Sequence, residues 1–74
     1  MTIDQAIAVA KRDCRDPYAQ AYLRAIPDAI ELGGTDGFES QLLYALNNMR
    51  SWCGETARVA KQVMRQFVKE CQHG

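Results

Sequence analysis

The sequence predicts an all-α protein: a compact bundle of three to four helices, the second kinked or split at Pro27. Three observations predict it. Apolar residues recur at three- and four-residue spacing along four segments, the signature of amphipathic helices. The segments are bounded by residue types that start or stop helices. No stretch alternates apolar and polar positions with β-branched residues, and there are only three threonines, so strand signals are missing.

The first helix is expected from about Ile3 to Cys14. Thr2 and Gln5 have capping-box spacing, in which hydroxyl and amide satisfy backbone N–H groups that have no partner in the first turn. Ile3, Ile7, Ala10 and Cys14 mark its apolar face. Asp4 suits the positive end of the helix, and Lys11, Arg12 and Arg15 suit the negative end. Asp16-Pro17 then reads as a second start, with Asp16 as N-cap and Pro17 where no N–H is needed.

Tyr18, Tyr22, Ile26, Ala29 and Ile30 form the expected stripe of the second helix, which runs to Leu32 with Pro27 interrupting it. Gly33-Gly34 ends it, Gly33 being available for a left-handed cap. The third helix is expected over about Gly37 to Ser51, with Asp36 and Glu39 again at capping-box spacing. Phe38, Leu42, Ala45, Leu46, Met49 and Trp52 share its stripe, and Leu46 is expected to be buried at its centre. Ser51-Trp52-Cys53-Gly54 reads as a tight turn in which Gly54 takes a positive φ. The fourth helix runs from about Glu55 to Cys71. Ala60, Val63, Met64, Phe67 and Cys71 form its apolar face, and Arg58, Lys61, Arg65 and Lys69 lie opposite. Helices three and four, joined by a short turn, are expected to be antiparallel neighbours.

Seventy-four residues make one helical domain, residues 1–74. The chain is 47% hydrophobic and 24% charged, with nine basic and nine acidic side chains. That balance argues against a basic, whole-surface nucleic-acid binder and against a strongly acidic mimic of nucleic acid. No run of 18 apolar residues is present, and the N-terminus lacks a signal peptide's basic and apolar stretches, so a cytoplasmic protein without a membrane span is expected. Cys14, Cys53 and Cys71 are odd in number and form no Cys-x-x-Cys pair; reduced, buried thiols are expected. A core this small gains from self-association, so a homodimer is also expected as a partner state.

Catalysis lacks its parts. The single histidine, His73, is next to the last residue, and a general base must be held at fixed distance from its nucleophile. Cys71-x-His73 supplies two metal ligands where structural zinc takes four. Gly33-Gly34-Thr35-Asp36-Gly37 precedes a helix but lacks the strand and Lys-Ser/Thr of a phosphate-cradling loop. No enzyme activity, metal or cofactor is expected.

Binding surfaces are better represented. Lys61, Arg65 and Lys69 are spaced i, i+4, i+8, and charge sums to about +2 over residues 37–74 against −2 over 1–36. Such a stripe meets solvent, an acidic protein patch or phosphates. Arg50 stands where a helix-turn-helix wants a small residue, which counts against DNA. In and around the third helix, Gln41, Tyr44, Asn47, Asn48, Arg50 and Trp52 set hydrogen-bonding groups beside large rings, the types enriched at protein-binding hot spots. Trp52 and Tyr44 could equally plug the core.

One pattern covers about residues 16–61: Asp16-Pro17-Tyr18-Ala19 with Tyr22 and Ala25, then Gly37, Gln41, Leu43-Tyr44, Leu46 and Asn48, then Trp52-x-Gly54-Glu55-x-Ala57-Arg58 with Val59 and Lys61. It resembles a set of small, uncharacterised helical proteins encoded by bacteriophages and prophages. Cys53, where a basic residue is expected, and the scarcity of acidic residues after Glu55 depart from it. The resemblance brings no activity. It implies an accessory protein in the host bacterial cytoplasm that binds a host protein, such as a defence or regulatory complex. On this reading Tyr44, Asn48, Trp52, Arg58, Lys61 and Arg65 on helices three and four form the protein-binding site. The alternative is a nucleic-acid-binding accessory protein using the basic face of the last helix.

Overall fold

The computed structural model describes residues 1–72. Four helices follow in order: α1 (Ile3–Asp13), α2 (Pro17–Arg24), α3 (Ile26–Asn47) and α4 (Glu55–Gln72). There is no strand among the described residues. The all-α expectation holds.

α1 starts on the predicted capping box. The Gln5 N–H donates to Thr2 Oγ1 at 3.1 Å, and the Thr2 N–H donates to Gln5 Oε1 at 2.8 Å. α2 starts on Asp16, whose carboxylate accepts from the N–H groups of Tyr18 and Ala19. Pro27 splits the second predicted helix. Lacking an N–H for the Leu23 carbonyl, it cannot continue α2. Ala25 turns the chain (φ −85°, ψ −1°), and Pro27 becomes a first-turn residue of α3.

The expected break between the second and third helices at Gly33-Gly34 is present inside the continuous span of α3. Helical backbone runs on through Leu32 and Gly33, and only Gly34 leaves it, at φ 58° and ψ −138°. Gly34, not Gly33, is therefore the positive-φ residue. This conformation is essentially reserved for glycine. Helix resumes directly after Gly34, and the Asp36–Glu39 capping box does not form; the N-cap of α3 is Ala25, without a side-chain cap. The two halves of α3 bend back on each other so closely that Gly37 abuts the Ala29 carbonyl.

α3 stops at Asn47, earlier than the expected Ser51. Asn48, Met49 and Trp52 donate their N–H groups three residues back, to Ala45, Leu46 and Met49. These tighter turns swing Met49 and Trp52 inward, and both are buried. Gly54, at φ 109°, completes the connection as predicted.

α1 packs against α4, α2 against α3, and α3 against α4. Leu23, Leu42, Met49 and Met64 are the largest fully buried side chains. Six of the fourteen buried apolar residues are alanines, which lets helix axes approach closely without large ridges. Leu46 is only half-buried at the edge of this core, correcting its expected central place; Leu42 and Ala45 hold the centre of α3. The stripe of α2 is likewise turned. Ala19, Leu23 and Ile26 face inward, while Tyr18 is 67% exposed and Ile30 is 42% exposed. No helix among the described residues is long and apolar enough to cross a membrane.

Candidate functional site

The six residues expected to form a binding site fall into three local arrangements around the α3–α4 corner. The first is Tyr44 with Asn48. The Asn48 side-chain amide donates to the Tyr44 carbonyl at 2.9 Å, so this asparagine closes the last turn of α3 while half-buried. Tyr44 is 53% exposed.

The second is Trp52 with Lys61. The Trp52 ring is buried at the end of the bundle. The Lys61 ammonium donates to the Trp52 carbonyl and sits 5.8 Å from the ring centroid, within cation–π range. Both side chains thereby have structural roles: Trp52 plugs the core, and half-exposed Lys61 ties α4 to the connection that carries Trp52. The third is Arg58, which pairs with Glu55 at 3.3 Å across one turn, as the sequence spacing allows. Both partners are well exposed, so the pair adds little stability. Arg65 is exposed and makes no ion pair among the described residues.

Sequence reasoning missed two tyrosines. Tyr22 packs against Tyr44 with ring centroids 5.4 Å apart and planes tilted by 34°. Beneath this pair, Gln41 Nε2 donates to the Tyr22 carbonyl at 3.1 Å. Tyr18 lies one turn before Tyr22 on α2. The α2–α3 seam therefore carries Tyr22 against Tyr44, with Tyr18 one turn earlier on α2 and Asn48 one turn later at the end of α3. A signal for it was present: Ala19 and Leu23 form a purely apolar pair one position along from Tyr18 and Tyr22, and the purely apolar pair goes inside.

A third missed residue is Gln20. Its amide donates to the carbonyls of Ala10, Lys11 and Cys14. The Ala10 carbonyl already accepts the Cys14 N–H, so Gln20 adds a second donor there, supplies one to Lys11 and Cys14 at the end of α1, and thereby clamps α1 to α2.

Two grooves lie elsewhere. One, of about 410 Å³, is lined by Met1, Ile3, Val63 and Phe67 among others. The other, of about 310 Å³, includes Ile7, Ile26, Ile30 and Phe38. Phe67 lines the first groove and Phe38 the second, and their rings pack with centroids 5.0 Å apart.

The three thiols are unpaired. Cys14 is buried as expected; Cys71 is half-buried, and Cys53 is exposed. Cys53 departs from the expected burial because Gly54 turns the chain outward just after Trp52 enters the core. Among the described residues no three His, Cys, Asp or Glu side chains converge on a metal-sized site; His73 lies outside them. The Arg12 guanidinium donates to the Asp13 carboxylate at 2.9 Å and holds it below its ordinary range, in a solvent-exposed pair. Comparison with family models, curated proteins and solved structures finds no match to this chain.

Proposed function

We propose that the protein is a non-enzymatic accessory protein that binds another protein through the tyrosine face of α2 and α3. Tyr18, Tyr44 and Asn48 form its centre, with Arg58 and Arg65 of α4 steering approach. The observation that carries this reading is the exposure of Tyr18 and Tyr44 around half-buried Tyr22. Tyrosine offers a large, stiff ring and a hydroxyl at low entropic cost, which is why it anchors interfaces. Trp52 and Lys61 support the site from within and do not touch the partner. The resemblance to phage and prophage proteins supplies the setting, in which the partner is a host protein of a defence or regulatory complex.

Quantitative affinity capture from bacterial lysate tests the reading. A protein enriched by the wild type should be lost with Tyr18→Ser/Tyr44→Ser, while helical circular dichroism stays unchanged. Equal enrichment by folded wild type and variant refutes it.

A second reading rests on Arg58, Arg65 and Lys69, all exposed on α4. These cations would hold nucleic-acid phosphates, and binding would then fall steeply with salt. A gel shift on duplex and single-stranded DNA at low salt separates the two: retardation abolished by Arg65→Glu favours this reading.

A further inference from the structure

We propose that two copies of this chain exchange halves, with Gly34 straightening so that α3 becomes one continuous helix in each copy. The inference is independent of the tyrosine face.

Gly34 is the one residue of α3 with non-helical dihedrals, and helix runs directly up to it and away from it. A straight helix of 22 residues is about 33 Å long, more than the 31 Å longest dimension of the molecule. The closed chain therefore needs this bend. Almost everything that holds the fold lies across it. α1 precedes the bend and α4 follows it, yet they pack together. Tyr22 precedes it and pairs with Tyr44, while Gln41 reaches back to the Tyr22 carbonyl. Ile3 shares a groove with Phe67, and Ile7 shares one with Phe38. Neither half keeps its partner surfaces if the bend opens.

A second opened copy offers each half the surface it has lost. Every contact across the bend re-forms between copies, and only the one-residue turn is given up. Short, strained connections favour such exchange. Leu32, two residues from the bend, is 90% exposed, and Ile30 is 42% exposed. In the exchanged pair, residues beside Gly34 lie next to the two-fold axis, where each copy covers the other's apolar side chains.

Gly34→Ala is the test. Alanine is strained at φ 58° and favoured in a straight helix. With two such chains per dimer, the association constant should rise about 100-fold. Light scattering after gel filtration reads the mass. Isotope-filtered NMR on mixed labelled and unlabelled chains reads the connectivity, with the Tyr22–Tyr44 ring contact becoming intermolecular. A folded Gly34→Ala variant that stays monomeric at millimolar concentration overturns the proposal. So does a dimer whose Tyr22–Tyr44 contact remains within one chain. If the variant does not fold, wild type refolded from denaturant at millimolar concentration decides. A dimer with intermolecular Tyr22–Tyr44 contacts supports exchange, and monomer alone overturns it.

Discussion

Gly37 meets the Ala29 carbonyl across the bend of α3, and a Cβ at residue 37 would stand 2.1 Å from that oxygen. The obstacle is backbone, which cannot rotate away as a side chain could. The two halves of α3 approach this closely because glycine occupies the crossing.

Gly37→Ala should therefore destabilise the fold by about 3 kcal/mol, the upper range for overpacking against a rigid neighbour. Gly33→Ala should do the reverse. Nothing lies within 4 Å of a Cβ at Gly33 and its φ is not positive, so the gain in helix preference should stabilise by about 0.5–1 kcal/mol. Urea melts of the two variants at micromolar concentration check both signs.

The core of α3 makes a paired prediction. Leu42 is fully buried, so Leu42→Ala should cost about 2–5 kcal/mol. Leu46 is half-buried and loses less contact on truncation; Leu46→Ala should cost about half as much as Leu42→Ala, since transfer and cavity contributions scale with what is buried. Equal losses in chemical denaturation would contradict the observed rotation of α3.

Lys61 should behave as a structural residue. Lys61→Met removes the donor to the Trp52 carbonyl and should cost about 1–2 kcal/mol, given the half-exposed site and the charged donor. Its clearest readout is Trp52 fluorescence, which should shift to the red as the end of the bundle loosens. Arg65→Glu, at an exposed position without an ion pair among the described residues, should leave fluorescence and melting unchanged. A charge-reversal test of the partner surface therefore belongs at Arg65 and not at Lys61.

Gln20→Leu should be costly despite its apolar, similarly sized replacement. The Cys14 carbonyl would lose its side-chain donor, and leaving such a partly buried acceptor unsatisfied costs about 1–3 kcal/mol. Hydrogen exchange should show the loss as faster opening of the α1–α2 junction than of α4.

Local chemistry was legible residue by residue. Thr2 with Gln5, Asp16 with Pro17, and Gly54 each act within a few positions along the chain, and each does what its type and spacing predicted. The interruption at Pro27 was legible for the same reason. The candidate site was legible only in part. Tyr44 could be read as exposed or as core, and Trp52 likewise; the structure gives them opposite fates. Tyr22 enters the face because α2 lies against α3, and no local spacing records that.

By itself, then, the sequence determined that the chain is helical, where helices begin, and that Pro27 breaks one. Those outcomes follow from dihedral preference, missing donors and first-turn capping, all short-range. Tertiary packing decided which of two adjacent stripes on α2 turns inward. It also left Leu46 at the edge while Leu42 went to the centre, and gave the positive φ of the Gly33-Gly34 break to Gly34 instead of Gly33. Those outcomes depend on how whole helices fit, because apolar area is buried only when another element covers it, and several rotations of one helix satisfy the same periodicity equally well.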